Sequence, residues 1–115
     1  MMTRHSVICD LWSVVVVPFP FIESPGAKRR PALVLSKRVF NESGHTILAM
    51  ITTKDHGRWL GDMDITDVRA SGLHQVCLLR LKLFTLDNRL ILKRIGTLGK
   101  IDRKKAAANL HHYLG

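Results

Sequence analysis

Four valines in a row, Val14–Val17, constrain this chain more than any other stretch. β-Branched side chains are stiff at χ1 and favour extended backbone. The run is apolar at successive positions rather than alternate ones, so both faces of its strand need cover. Trp12 to Phe19 therefore opens the fold as a strand. Pro18 and Pro20 lack backbone donors and are expected to end it. A chain of 115 residues holds one domain, residues 1–115, with enough length to build a core without disulfides or metal. Residues 1–11 read as a loose, polar lead-in.

The rest of the chain continues in short apolar segments. Phe21 to Arg30 carries turn chemistry in Glu23, Ser24, Pro25 and Gly26 and reads as a loop. Pro31 to Ser36 is the second strand. Lys37 to Gly44 is a polar connection with room for one helical turn. His45 to Ile51 is the third strand, with Ile47, Ala49 and Ile51 on one face and Leu48 and Met50 on the other. Thr53 to Gly61 is a second loop, and Asp62 to Ile65 a short edge strand. Asp67 to Gly72 is turn-like. Val76 to Phe84 is a strand, bent near Arg80. Asp87-Asn88 turns the chain into a last strand, Leu90 to Leu98, where Gly96 permits a bulge or close approach. Asp102 is expected to cap a terminal helix. That helix should bury Ala106, Ala107, Leu110 and Leu114 and expose Arg103, Lys104 and Lys105. Five or six strands and one helix imply a mainly β fold, a small twisted sheet or barrel with a C-terminal helix.

Charge narrows the partners. The formal net charge is +9, from 18 Lys and Arg against 9 Asp and Glu. It points to an anionic partner: nucleic acid, an acidic protein or a membrane surface. The charge is also patchy. Residues 28–38 hold five basic side chains and no acid, and residues 80–105 hold nine basic and two acidic ones. The valine run is too short to span a bilayer and lacks a cleavage signal after it. Cys9 and Cys77 show no metal-ligand spacing, and Cys77 reads as a small core hydrophobe. These features fit a reducing, cytoplasmic setting.

Several side-chain groups have chemistry to offer, each with a plainer reading beside it. Lys28-Arg29-Arg30 reads as a phosphate clamp, because the guanidinium fork fits phosphate oxygens and stays charged; it reads equally as a solvated basic loop. Thr52-Thr53 could donate hydroxyls to a phosphate, or be two β-branched strand residues. Histidine pairs often run RNA cleavage, yet His5, His45, His56, His74, His111 and His112 show no pairing by spacing. Trp12, Phe19, Phe21, Trp59 and Phe84 are candidates for stacking on bases, in competition with the core. No phosphate-binding glycine loop, zinc pattern or nucleophile elbow occurs.

The order and spacing of these segments carry a resemblance. VVVVPFPF, a loop of about ten residues, KRRPALVLS and ILAMITTK resemble the MazF/PemK family of toxins. GLHQVCLLRLKLFTLDNRLILKRIGTL with a closing helix is similar to the remainder, so the likeness runs from about Trp12 to Leu114. It implies an SH3-like twisted β-barrel of the MazF/CcdB kind and a homodimer. It also implies a sequence-specific endoribonuclease that needs no cofactor or metal. Its substrate would be single-stranded RNA such as mRNA, and a small acidic antitoxin would restrain it. Matched residue by residue, the family's active-site Arg falls on Arg30 and its active-site Thr on Thr52, with Thr53 adjacent. The aromatic that ends the first strand falls on Phe19. Lys28 and Arg29 are expected to join Phe19 and Thr53 in holding substrate. The chain departs from the family at Trp12-Ser13, where Gly-Asp is usual, and Glu23 lies near a loop glutamate without aligning to it. Two other readings stay open: a CcdB-like toxin that binds DNA gyrase, and a basic barrel that binds nucleic acid without cutting it.

Overall fold

The structure is a computed structural model, described here for residues 6–21, 26–54 and 57–115. Six strands form one antiparallel sheet: β1 (Ser13–Phe19), β2 (Lys28–Val34), β3 (His45–Thr52), β4 (Met63–Ile65), β5 (Cys77–Asp87) and β6 (Lys93–Thr97). Their spatial order is β4-β5-β3-β2-β1-β6, curled into a half-barrel. Two one-turn helices, α1 (Arg38–Asn41) and α2 (Val68–Ser71), join strands, and α3 (Lys100–Leu114) closes the chain. The fold is thus mainly β with a C-terminal helix, as the sequence implies.

The valine run is covered on both faces. Val14 packs with Leu33, Ala49, Ile51, Ile65 and Leu79 in a cluster capped by Leu98 and Ala106. Val15 and Val17 face the other way, onto Ala32, Val34, Leu48, Leu86 and Ile91. Cys77 joins the first cluster and Cys9 the second, and burial pushes both thiols above their ordinary range. Cys9 is pinned in other ways too: Asn41 donates from Nδ2 to its carbonyl at 2.8 Å.

Several expected boundaries move. Pro18 does not end β1, and β2 starts at Lys28 rather than Pro31. The reason lies in where the missing donors point. The Val16 carbonyl accepts from Leu92 N at 2.9 Å, on the side away from β2. Val16 faces Pro31 across the ladder, so this pair exchanges no hydrogen bonds and the Pro31 nitrogen points toward β3. Pairing with β3 begins only at Ala32, and pairing of β1 with β6 reaches only Val16. Both prolines therefore sit where no ladder donor is required. Leu90 to Leu98 is not one strand either: Asn88–Leu90 is a 3-10 turn capped by Asp87, and the strand is shorter.

Helix α3 also differs. Its N-cap is Gly99, and Asp102 lies inside the first turn, fully buried. The Asp102 carboxylate accepts from Thr66 N, Thr66 Oγ1 and Asp67 N at 3.0, 2.9 and 2.9 Å. It ties the helix to the β4–α2 connection rather than capping the helix itself. Only Ala106 of the expected apolar stripe is buried. Leu110 is half-buried, and Ala107 and Leu114 are exposed. Arg103 folds back, donating to Leu98 O and Thr97 Oγ1 at 2.6 and 2.9 Å.

Candidate active site

Strand alternation gathers the site. Successive side chains point to opposite faces, so residues two apart share a face. Arg30 lies on the face of Ala32 and Val34, Phe19 on that of Val15 and Val17, and Met50 and Thr52 on that of Leu48. Val17 pairs with Arg30, and Met50 with Arg80. Phe19, Arg30, Met50, Thr52 and Arg80, with Ile51 and Lys82, line an open pocket of about 210 Å³. Phe19, Arg30 and Thr52, three of the residues singled out from sequence, thus meet in one place.

The other three do not line that pocket. Arg29 points to the opposite face of β2 and lines a second hollow of about 300 Å³ with Val16, Pro31, His74 and Lys93, and Arg30 borders this hollow as well as the first. Because Lys28-Arg29-Arg30 is strand and not loop, the side chain of its middle residue alternates to the face opposite those of its neighbours. Lys28, opposite Phe19, is exposed at the strand end, and Thr53 follows β3 half-buried. Of the described histidines none lines the Arg30 pocket; His5, His56 and Glu23 lie outside the described residues. Among the described residues no cluster of three His, Cys, Asp or Glu is placed to hold a metal ion.

Arg80 and Lys82 are the charged pocket residues absent from the sequence-based site, beside the apolar Met50 and Ile51. An irregularity in β5 sets which of them faces Met50. Ala49 pairs with Leu83 but Met50 pairs with Arg80, so β5 carries two additional residues there. Such a bulge bends the strand and re-aims side chains. The expected bend near Arg80 was the one sequence signal for it. The two cations differ. Arg80 is almost wholly buried and forms a forked pair with Asp62, with bonds of 3.1 and 2.8 Å. The Arg80 guanidinium holds the Asp62 carboxyl below its usual range. Its charge is thus already matched. Among the described residues, Arg30 and Lys82 have no acidic partner, and Lys82 Nζ lies 6.0 Å from the Phe19 ring centroid. The pocket is net positive through these two.

The aromatic candidates separate by packing. Phe21 stacks on Phe84 with centroids 4.4 Å apart and meets Phe19 edge-on at 5.6 Å. Phe21 and Phe84 pack on the second core cluster and Trp12 on the first. Phe19 is left half-buried at the pocket and Trp59 exposed.

Residues 11–114 match the PemK-like, MazF-like toxins of type II toxin–antitoxin systems. The chain belongs to the PemK/MazF toxin family. The match covers almost all of it, and the family is one of endoribonucleases. Solved structures agree on the fold. The toxin is similar to MazF in a MazE–MazF complex from Deinococcus radiodurans, with a TM-score of 0.71 and 21% identity over 95% of this chain and 97% of that one. It is also similar to the Mycobacterium tuberculosis toxin MazF-mt6, with a TM-score of 0.68 and 20% identity over 87% and 93%. An endoribonuclease bound to its cognate antitoxin, from a mycobacterial species, superposes with a TM-score of 0.71 at 14% identity over 94% of each chain. No curated protein matches the sequence. No helix among the described residues is long and apolar enough to cross a membrane.

Proposed function

We propose that this toxin cuts single-stranded RNA at particular short sequences, without metal, through attack of the RNA 2′-hydroxyl on the adjacent phosphate. The observation that carries the reading is the convergence of Arg30, Thr52 and Phe19 in one pocket on one sheet face. The 2′-hydroxyl is an internal nucleophile, so the protein's task is to hold it in line with the leaving 5′-oxygen. Negative charge grows on the non-bridging oxygens in the transition state. Arg30 donates to them in a fork, Thr52 adds a hydroxyl donor, and Lys82 adds a second positive charge. Phe19 offers a ring beside the phosphate site. A guanidinium holds its proton far above neutral pH, so the part of Arg30 is charge stabilisation, while the 2′-hydroxyl proton passes to solvent water and the leaving 5′-oxygen takes one from it. The MazF relatives crystallised with MazE support a second element of the proposal, a cognate antitoxin that restrains this chain. Assembly as a homodimer and action in the cytoplasm complete it.

The deciding experiment incubates the purified protein with a long RNA in the presence of a chelator. Cleavage at few positions, leaving a 2′,3′-cyclic phosphate and a 5′-hydroxyl, is expected. Arg30→Ala should slow it about 10²–10³-fold, the loss typical of one transition-state donor, and Thr52→Ala less. Strict Mg²⁺ dependence, a 5′-phosphate product or full activity of Arg30→Ala would overturn the reading. Gyrase inhibition without cutting would turn it toward a CcdB-like role.

A further inference from the structure

The wall of the pocket continues outward through Arg80. Besides its fork to Asp62, the guanidinium donates from Nη2 to Gly57 O at 2.8 Å. Asp62 Oδ2 also accepts the backbone N–H of Trp59 at 2.8 Å. The Arg80 guanidinium carbon then lies 4.9 Å from the centroid of the Trp59 ring. Two residues thus fix Trp59 at both ends, its backbone by the carboxylate and one face of its ring by the cation. Yet Trp59 remains 48% exposed. An indole held this firmly and left half in water is organised for something that is not the core.

We propose that Trp59 is a stacking platform for an unpaired base of bound RNA, and that the Arg80–Asp62 pair is the device that positions it. The inference deepens the proposed ribonuclease reading and rests on it. Every base has a π-face, and single strands are commonly held by stacking on aromatic rings. Arg80 lines the Arg30–Thr52 pocket and also underlies Trp59, so platform and pocket are one guanidinium apart. A base on Trp59 belongs to a nucleotide close to the cut bond. Fixing the ring in advance lowers the ordering cost on binding. The division of labour follows from charge. Arg80 is already matched by Asp62 and serves the base through Trp59, while Arg30 and Lys82 serve the phosphate.

The probe is a single-stranded oligonucleotide pool of random sequence with 2′-O-methyl riboses, which cannot attack and so binds uncut. Trp59→Ala should weaken binding about 5- to 150-fold, the range for loss of one stacked base. Trp59→Leu should lose as much, and Trp59→Phe should stay within about fivefold of the unaltered toxin, because a ring and not mere apolar area is required. RNA should quench tryptophan emission in the unaltered protein and not in Trp59→Phe, where Trp12 alone emits. The salt dependence of binding should be unchanged in all three variants, because no charge is altered. Arg80→Lys, or Asp62→Asn if the first does not fold, should weaken binding in the unaltered chain and add little in the Trp59→Ala background. Trp59→Ala and Trp59→Leu binding within twofold of the unaltered toxin, with Arg30→Ala impaired, would overturn the platform and leave the ribonuclease reading standing. Fully additive losses would overturn the positioning role of Arg80. An unaltered toxin that binds no RNA would overturn both readings together.

Discussion

Trp12 holds a backbone conformation that its side chain disfavours. Its φ is 74°, in the left-handed region where glycine is at ease. The conformation is imposed by its place at a junction: its N–H donates to Val34 O at 3.0 Å and its carbonyl accepts from Leu98 N at 2.9 Å. The indole packs against the first core cluster, which offsets the strain. The position is also where the resemblance leads one to expect glycine. Trp12→Ala would lose the packing and keep the strain, whereas Trp12→Gly would lose the packing and relieve it. The glycine variant should therefore be the more stable of the two by about 1 kcal/mol, read by urea denaturation. Asp62 makes a second prediction at this scale. Arg80 lowers its folded-state pKa, so the stability it contributes is fully present above the unfolded value of about 3.9 and is lost as pH falls through the folded value. Melting temperature should drop on acidification below about pH 4, and Asp62→Asn should be less stable at pH 7 and show a flatter acid limb. An equally steep limb in that variant would remove Asp62 from the account. Single residues also show what was legible in advance. Arg30, Thr52 and Phe19 were readable as site candidates because the Arg-Pro step and the strand ends on which they sit carry the family resemblance. That Arg29 faces a second hollow was not legible, because a basic triplet looks like one patch until it is placed in a strand, where period 2 splits its side chains.

At the scale of elements, what the sequence hides is register. The valine run and the alternation of β3 are local patterns, so β1 and β3 were legible almost to the residue. The two additional residues of β5 depend on which residue of β3 faces which of β5, and no local pattern encodes that. That irregularity sets Arg80 opposite Met50, where a regular ladder would set Lys82. The join between α2 and β6 was half legible. Gly96 was expected at a bulge or close approach, and both occur: the β1–β6 register shifts beside it, and a Cβ there would stand 2.4 Å from Ser71 C and 2.5 Å from Ala70 O. These are backbone atoms with no side chain to yield. Gly96→Ala should therefore separate α2 from β6 and cost about 1–3 kcal/mol, the range of overpacking in a tight contact. Asp102 was misassigned because a carboxylate near a helix start reads as a cap, whereas its use is tertiary. Asp102→Ala strands Thr66 N, Thr66 Oγ1 and Asp67 N together, and should lower stability by about 1–3 kcal/mol. Thermal denaturation of the two variants beside the unaltered chain checks both numbers.

For the whole molecule, the question is what a net charge of +9 is for. A charge field of this size speeds encounter with any polyanion, and its effect on RNA binding is set by counterion release. Each phosphate neutralised on a single strand contributes about −0.7 to the log–log salt slope. Arg30→Ala should reduce the slope by about that much, while Trp59 variants should leave it alone. The same field acts on the proposed antitoxin. An acidic segment is drawn by charge to the face that draws RNA, and buried apolar anchors then supply most of its affinity. The sheet offers such a segment both components near one another. Arg30 and Lys82 are cations without acidic partners among the described residues, and Phe19 and Met50 beside them are apolar. If the proposed antitoxin docks there with a tail that orders only on binding, antitoxin and RNA compete for one surface. Titrating the proposed cognate antitoxin into a complex with 2′-O-methyl RNA should displace the RNA. The displacement should weaken when Lys82 is replaced by Gln, because that change removes charge that the acidic tail uses. A stable ternary complex with undiminished RNA affinity would show instead that the antitoxin acts from elsewhere on the molecule. The hollow at Arg29, His74 and Lys93, on the other sheet face, would then be the first place to look.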